Sequence, residues 1–143
     1  MPYRICKIFS VENGHILSKH PGKCRFPHGH SRRIEVTLEA ETLDANDMVC
    51  DFKLLKELVQ AFVEKFDHAM CINTDDPHFK FYEEAYERVI VFEKADPTSE
   101  LMARMVFEHA ASAVAGHFGG GRSVRVRAVK IHETETSWAE YSV

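Results

Sequence analysis

Residues 24–30, CRFPHGH, hold one cysteine and two histidines within seven residues. His28 and His30 are separated by one glycine, so both side chains point to the same face if the chain is extended there. Two imidazoles about 7 Å apart along a strand suit two ligands of a tetrahedral zinc ion. For this spacing taken alone, the alternative is a pair of surface histidines.

His15 is the candidate for a third zinc ligand, because it ends a strand that should pair with the strand beginning at His30. Three neutral imidazoles, with no carboxylate or thiolate among the ligands, would leave the fourth position open. An open position is typical of a catalytic rather than a structural zinc ion.

Cys24 lies four residues before His28, in a loop flanked by lysine and arginine. Cationic neighbours and a nearby dication favour the thiolate, which can act as a base or a nucleophile. Two alternatives stay open at this point. Cys24 is either a buried loop cysteine with no chemical role, or a fourth zinc ligand that would close the site.

Three further residues are candidates for acid–base or binding roles. His68 is suited to proton transfer near neutral pH, and the adjacent Asp67 can fix its tautomer, although Asp67 could equally be a turn residue. Glu133 lies near the end of a predicted strand, where a carboxylate can accept two parallel hydrogen bonds from an amidine-like ring edge. The alternative for Glu133 is a solvated strand residue.

Two predicted strands flank the cysteine and histidine loop. Apolar and polar residues alternate over 3–12 and over 32–41, which is the period of a sheet with one solvated face. The pair Asn13-Gly14 is predicted to end the first strand.

Two predicted helices carry apolar stripes wide enough to lie on a sheet, one over about 53–66 after the cap Asp51 and one over about 99–117. Strands are predicted over 87–93 and 122–135, with a short strand at the end of the sequence. The acidic segment 73–85 has no predicted structure. The order of elements predicts a single α+β domain over 1–143, with both helices on one face of the sheet.

Composition excludes some classes of partner. The formal charge is −4 without a long run of one sign, which argues against nucleic acid as a partner. No apolar run approaches the roughly 18 residues that a membrane span needs. The sequence shows no signal-peptide pattern, and its four scattered cysteines form no C-x-x-C pair, so we expect a cytoplasmic protein with reduced thiols.

Several motifs occur together in an order that identifies a family. They are C-x-x-x-H-G-H (24–30), V-E-N-G-H-I-L (11–17), M-V-C-D-F (48–52), F-D-H (66–68), D-P-T-S-E (96–100) and H-E-T (132–134). With them, the chain closely resembles the 6-pyruvoyl-tetrahydropterin synthase and 6-carboxy-tetrahydropterin synthase family over almost its whole length.

The resemblance implies the tunnelling fold, a four-stranded antiparallel sheet with two helices on one face. It also implies a homo-oligomer in which three subunits close a barrel, two trimers stack, and sites form between subunits. In this family zinc would bind His15, His28 and His30, and Cys24 would abstract a proton. The remaining implied roles are a proton relay by Asp67 and His68, a pterin anchor at Glu133, and a pocket-lining turn at Thr98 and Ser99.

The implied substrate is 7,8-dihydroneopterin triphosphate, and the implied cofactor is Zn²⁺. We expect a 6-carboxy-tetrahydropterin synthase that releases acetaldehyde and triphosphate on the route to queuosine. The alternatives are a 6-pyruvoyl-tetrahydropterin synthase, a non-catalytic zinc- or pterin-binding homologue, and an aldolase-type cleavage at the same site. Basic residues that could surround the triphosphate are Lys19, Lys23, Arg25, Arg32 and Arg33.

The chain departs from the family pattern at three places. The family's F-x-A-A-H around the first zinc ligand is V-E-N-G-H here (residues 11–15), so the packing around that ligand is altered but the ligand itself is kept. The segment after His68 is one residue longer than the family's D-H-x-x-L-N. Residues 74–92 are also longer than in compact relatives and are expected to reshape the rim of the pocket.

Overall fold

The computed structural model describes residues 1–143 as a six-stranded sheet with two long helices packed on one face. Strands β1 (Tyr3–His15) and β2 (His28–Ala40) are antiparallel and 13 residues long each. Their pairing runs without a break from Tyr3 opposite Ala40 to His15 opposite His28. The last residue of β1 and the first residue of β2, two of the predicted zinc ligands, therefore lie side by side.

The predicted end of β1 at Asn13-Gly14 is wrong, because the strand continues to His15. Gly14 pairs with Gly29 on one side and with Met70 on the other. A Cβ atom on Gly29 would lie 3.2 Å from the Asn13 carbonyl oxygen. The glycine at position 29 therefore permits close approach of two strands.

The other strands extend the sheet in both directions. Strand β5 (Val124–Thr134) pairs antiparallel with β2, and β6 (Ser137–Ser142) pairs antiparallel with β5. On the far side of β1, β3 (Ala69–Asn73) and β4 (Val89–Phe92) are parallel to their neighbours. The order is β4-β3-β1-β2-β5-β6.

The predicted α+β fold class is confirmed, but the sheet has six strands rather than four. The four antiparallel strands expected from the resemblance are β1, β2, β5 and β6. Strand β3 is missing from the predictions because it has only five residues, four of them buried, so its sequence shows no polar and apolar alternation.

Helices α1 (Phe52–Glu64) and α3 (Ser99–Phe118) cover one face of the sheet, as predicted. Asp51 caps α1 by accepting a hydrogen bond from the Lys53 N–H at 2.8 Å. A third, short helix, α2 (Phe79–Ala85), lies in the segment that had no predicted structure. No helix combines the length and the apolar composition needed to span a membrane.

The core lies between these two helices and the sheet. Each Leu, Ile or Val side chain that is fully buried there contributes about 1.5–3 kcal/mol relative to an exposed one. Among the most deeply buried members of this core are Val36, Leu38, Leu55, Val59, Met102, Val106, Val129 and Ile131. This core covers one face of β1, β2 and β5, and the histidines lie at one end of β1 and β2.

Candidate active site

The predicted metal ligands His15, His28 and His30 form one cluster. Their candidate ligand nitrogens all lie within 4.8 Å of one another, and Nε2 of His15 is 3.2 Å from Nε2 of His30. The ring of His28 lies 4.5 Å from that of His15, centroid to centroid. This cluster could hold a metal ion, and the i, i+2 spacing in β2 together with the His15–His28 pairing creates it.

Backbone carbonyls orient two of the three rings. The Nδ1–H group of His15 donates to the Pro97 carbonyl oxygen at 2.8 Å, and that of His28 donates to the Phe26 carbonyl oxygen at 2.7 Å. With Nδ1 protonated, the lone pair of a neutral imidazole is on Nε2. Hydrogen bonds of this kind are those that orient histidine ligands around metals.

Burial also favours the neutral form of two of the three imidazoles, those of His15 and His30. Burial lowers the pKa of His15 to about 4, and the nearby Arg32 adds to this effect. Burial likewise lowers the pKa of His30, again with a contribution from Arg32, while Glu133 opposes it. Neutral imidazoles at neutral pH are metal ligands, so the residues fit a divalent ion that prefers nitrogen.

Glu133 lies beside the cluster at the end of β5. Its Oε1 atom is 3.6 Å from Nε2 of both His15 and His30 and accepts a hydrogen bond from Ser99 Oγ at 3.3 Å. The Glu133 side chain is one-third exposed and lines an open space. A ligand held by Glu133 would therefore be adjacent to the three histidines.

That open space is a cavity of about 590 Å³ between the cysteine loop, the start of α3, the end of β5 and strand β6. Four of the predicted site residues line it together: Cys24, Thr98, Ser99 and Glu133. Cys24 is in a 3₁₀ turn (Lys23–Arg25) and is a free thiol. It is outside the group of clustered ligand atoms, so the structure gives no support to Cys24 as a fourth metal ligand.

Thr98 has a structural role in addition to its position at the cavity. Its hydroxyl oxygen accepts a hydrogen bond from the Leu101 N–H at 3.2 Å and caps α3. Ser99, the next residue, is the first residue of the helix and is buried. The cap therefore fixes the start of α3, where Ser99 lies.

Asp96 holds the cysteine loop against the body of the protein. Its carboxylate accepts hydrogen bonds from Ser18 Oγ at 2.6 Å, from the Lys19 N–H at 2.8 Å and from Asn73 Nδ2 at 3.0 Å. Burial raises the pKa of Asp96, but these three hydrogen bonds outweigh burial and leave the pKa below its ordinary value. The motif D-P-T-S-E begins with Asp96, but the sequence predicted no role for this residue.

Asp67 and His68 contact each other, which their adjacency alone did not establish. His68 Nδ1 is 3.0 Å from Asp67 Oδ2, and Asp67 Oδ1 accepts a hydrogen bond from the Glu12 N–H at 2.8 Å. Chiefly that backbone hydrogen bond, and then His68, lower the pKa of Asp67. His68 has a positive φ of 57°, so the turn places a non-glycine residue in the left-handed region.

The structure does not bring Asp67 and His68 to the cavity of Cys24. His68 is mostly exposed and lines a different cavity of about 700 Å³, next to Gly14, Met70 and Arg88. Within one chain, the predicted base and the predicted relay are therefore on separate surfaces.

The burial of Arg32 and Asn13 was not predicted from the sequence. Arg32 is 1% exposed, which is incompatible with a place among the basic residues around a triphosphate. Its position has the same parity as Ile34, Val36 and Leu38, whose side chains face the core. This parity was the available signal, but a positive charge at a core position runs against expectation.

The family of the chain follows from its similarity to known proteins. A family model described as 6-pyruvoyl tetrahydropterin synthase matches residues 4–143. A protein of Aquifex aeolicus named 6-carboxy-5,6,7,8-tetrahydropterin synthase is 32% identical over 162 aligned positions, which cover 99% of this chain and 98% of that one. A protein of the same name from Rickettsia conorii is 29% identical and covers 89% of this chain and 91% of its own length.

Solved structures share the fold. An uncharacterized protein of Wolinella succinogenes superposes with a TM-score of 0.84 at 26% identity, covering 99% of this chain and 98% of that one. A 6-pyruvoyl tetrahydropterin synthase of Caenorhabditis elegans gives a TM-score of 0.71 at 22% identity, with 100% of this chain and 96% of that chain covered.

Proposed function

Since the chain belongs to the 6-pyruvoyl tetrahydropterin synthase family, we propose that it is a zinc-dependent 6-carboxy-5,6,7,8-tetrahydropterin synthase. The proposed reaction takes 7,8-dihydroneopterin triphosphate and water to 6-carboxy-tetrahydropterin, acetaldehyde and triphosphate, on the route to queuosine. The observation that carries the proposal is the position of Glu133, which lines the cavity of Cys24 and lies 3.6 Å from two clustered histidines.

Orientation of the substrate is the proposed task of Glu133. Its carboxylate would accept two hydrogen bonds from the amidine-like edge of the pterin ring, in the fork geometry that such pairs adopt. Because Glu133 is anchored through Ser99, the bound ring would present its side chain to the three histidines. This is a positioning effect, which converts binding into a favourable geometry for reaction.

Proton transfer is the proposed task of Cys24, Asp67 and His68. A zinc ion on the histidine cluster would supply Lewis-acid polarisation of the substrate's side-chain hydroxyl oxygens. The Cys24 thiolate would remove a proton from the polarised side chain. His68 would carry that proton onward, with Nδ1 held by Asp67 and Nε2 free to exchange it.

We also propose that the active protein is a homo-oligomer, a trimer or a dimer of trimers. Two observations support this proposal. The edge strands β4 and β6 each have a neighbour on one side only within the chain, and such edges favour pairing with another subunit. In addition, Cys24 and His68 line different cavities of one chain, so a single subunit lacks a complete set of the proposed catalytic groups at either place.

The proposed function is tested by incubating zinc-loaded protein with 7,8-dihydroneopterin triphosphate and identifying the products by mass spectrometry. One acetaldehyde per turnover, together with a 6-carboxy pterin, is the expected result. A 6-pyruvoyl product without acetaldehyde would replace the proposed activity with that of a 6-pyruvoyl-tetrahydropterin synthase. Zinc binding with no turnover would identify a non-catalytic homologue, and a cleaved side chain with the triphosphate still attached would indicate an aldolase-type reaction.

A further inference from the structure

Arg32 is a buried cation that has no carboxylate partner. Its side chain is 1% exposed, and no ion pair in the chain includes it. Removing a charge from water costs several kcal/mol unless other polar groups compensate for it. An arginine at this position therefore costs stability relative to an apolar residue, unless its hydrogen bonds compensate for the loss of water. The partners of those hydrogen bonds show what the arginine could do for the site.

The first of these hydrogen bonds leads toward Glu133. Arg32 Nη1 donates to Ser99 Oγ at 2.9 Å, and the Ser99 hydroxyl donates to Glu133 Oε1 at 3.3 Å. Because Arg32 occupies the acceptor side of the Ser99 hydroxyl, the hydroxyl proton is directed at the carboxylate. Arginine and glutamate are thus coupled through one oxygen atom.

The second hydrogen bond leads toward the turn that carries Asp67 and His68. Arg32 Nε donates to Asn13 Oδ1 at 3.1 Å. Asn13 Nδ2 in turn donates to the carbonyl oxygens of Phe66 at 2.9 Å and Ala69 at 3.3 Å. These two carbonyls lie immediately before and after the turn, so the Asn13 amide links its two ends by hydrogen bonds.

The third contact is with the histidine cluster. Arg32 Nη2 lies 3.2 Å from His15 Nδ1, whose proton is directed to the Pro97 carbonyl. One planar guanidinium therefore contacts groups that lead to His15, to Glu133 and to the Asp67–His68 turn. Asn13 stands where the family pattern has alanine, which has no side-chain acceptor for Nε.

We propose that Arg32 is a positioning residue that, through Ser99 and Asn13, holds the Glu133 carboxylate and the Asp67–His68 turn in register with the histidine cluster. The role needs the forked geometry of the guanidinium as well as its charge, since Nε and Nη1 donate in two directions while Nη2 lies beside the His15 ring. The inference rests on the proposed function only in assigning a pterin to Glu133.

The test measures the dissociation constant for neopterin, a pterin without phosphate, by fluorescence titration of the zinc-loaded protein. We expect Arg32→Met to raise this constant about 10- to 100-fold, as for the loss of a charged hydrogen bond. Arg32→Lys should raise it to a similar extent, because an ammonium group cannot reach both Asn13 and Ser99 in a fork. Arg104→Met is the matched control, since it removes an exposed arginine of α3 paired with Glu108, and it should leave binding unchanged.

Coupling through Ser99 gives a second, independent criterion. Ser99→Ala should weaken neopterin binding as much as Arg32→Met, and the double variant should be less than about threefold worse than either one. Zinc per chain, measured by atomic absorption, should stay at the wild-type value in Arg32→Lys and Ser99→Ala, because carbonyl oxygens of Pro97 and Phe26 orient the ligands. Wild-type neopterin binding in Arg32→Lys, or losses that multiply in the double variant, would overturn the proposal.

The outcomes separate this inference from the proposed function. If the wild type binds neopterin but yields no 6-carboxy product, the function fails and the variants still decide the role of Arg32. If the wild type does not bind neopterin, the visible absorption of the Co²⁺-loaded protein decides instead. Arg32→Lys should then shift these bands, because Glu133 lies close to two ligand nitrogens, and an unchanged spectrum overturns the inference. Thermal unfolding of each variant identifies any that fail to fold. If an Arg32 variant fails to fold, the same measurements on Ser99→Ala decide the outcome.

Discussion

Cys24 and His68 line different cavities of the same chain, although both are assigned to one proton transfer. The backbone of Cys24 is hydrogen-bonded to Leu17, and that of His68 to Glu12. Along the sequence these two partners lie on either side of His15, the most deeply buried histidine of the cluster. A subunit interface that joins the cavity of one chain to the His68 surface of another would reunite the two groups.

Mixing two inactive variants tests this arrangement. Cys24→Ala and His68→Ala should each be inactive alone, whereas oligomers refolded from equal amounts of both should regain activity. If each site takes Cys24 from one subunit and His68 from its neighbour, random mixing leaves about one quarter of the sites intact. Turnover of the pterin triphosphate measures the recovery.

The control for that experiment is a mixture of Cys24→Ala with the Cys24→Ala/His68→Ala double variant, which should stay inactive. If the first mixture is as inactive as this control, while its oligomers contain both chains, the two residues act within one subunit or not in the same step.

Substitution of Cys24 should affect turnover but not metal binding, whereas substitution of His28 should affect metal binding. Cys24→Ala should keep the wild-type zinc content and lower turnover by about 10²- to 10⁴-fold, the range for a lost general base. His28→Ala should lose most of the zinc, because it removes one of three ligands. Atomic absorption together with product formation measures both quantities, and zinc loss in Cys24→Ala would make that thiol a ligand instead.

His68 should show a conflict between stability and function. An L-residue in the left-handed region costs roughly 1–2 kcal/mol, a penalty that glycine avoids. His68→Gly and His68→Ala both remove the imidazole, so both should be inactive, but the glycine variant should be more stable by about 1 kcal/mol. Urea unfolding of the two variants measures the difference, and equal stabilities would show that the turn is unstrained.

Asp96 should make stability depend on acid pH. Because the pKa of Asp96 is lowered in the folded protein, its ionised form stabilises the fold above the ordinary carboxyl pKa of about 4. That stabilisation is lost as the pH falls through the folded-state pKa. Asp96→Asn should therefore be less stable than the wild type at pH 7, and the difference should shrink toward pH 3.

Chemical denaturation at several pH values measures this difference, and its expected size at pH 7 is about 2–3 kcal/mol, for hydrogen bonds to a buried charge. Glu108→Gln, at an exposed ion pair of α3, is the control and should change stability little at any pH. A difference for Asp96→Asn that is constant between pH 7 and pH 3 would contradict the assigned ionisation.

The chain's local periodicity was enough to predict much of the fold. The stripe of Leu55, Val59 and Val63 predicted α1, and the same kind of stripe predicted α3. Strand β3 was not predicted because it is short and mostly buried, so its residues show no alternation of polar and apolar types. Helix α2 was not predicted because its seven residues are too few to show a helical repeat. Strand β1 continues through Gly14 because it pairs there with β2 on one side and β3 on the other. Local residue preferences contain no information about such pairing.

The sequence alone determined which groups are available for chemistry and that His28 and His30 lie on the same face of one strand. Two residues apart on a strand must share a face, whatever the rest of the chain does. Only the tertiary structure decided that Arg32 is buried between Asn13 and Ser99, and that Cys24 and His68 lie apart. Those relationships join residues between 19 and 67 positions apart, so they depend on packing of distant segments rather than on backbone geometry within one element.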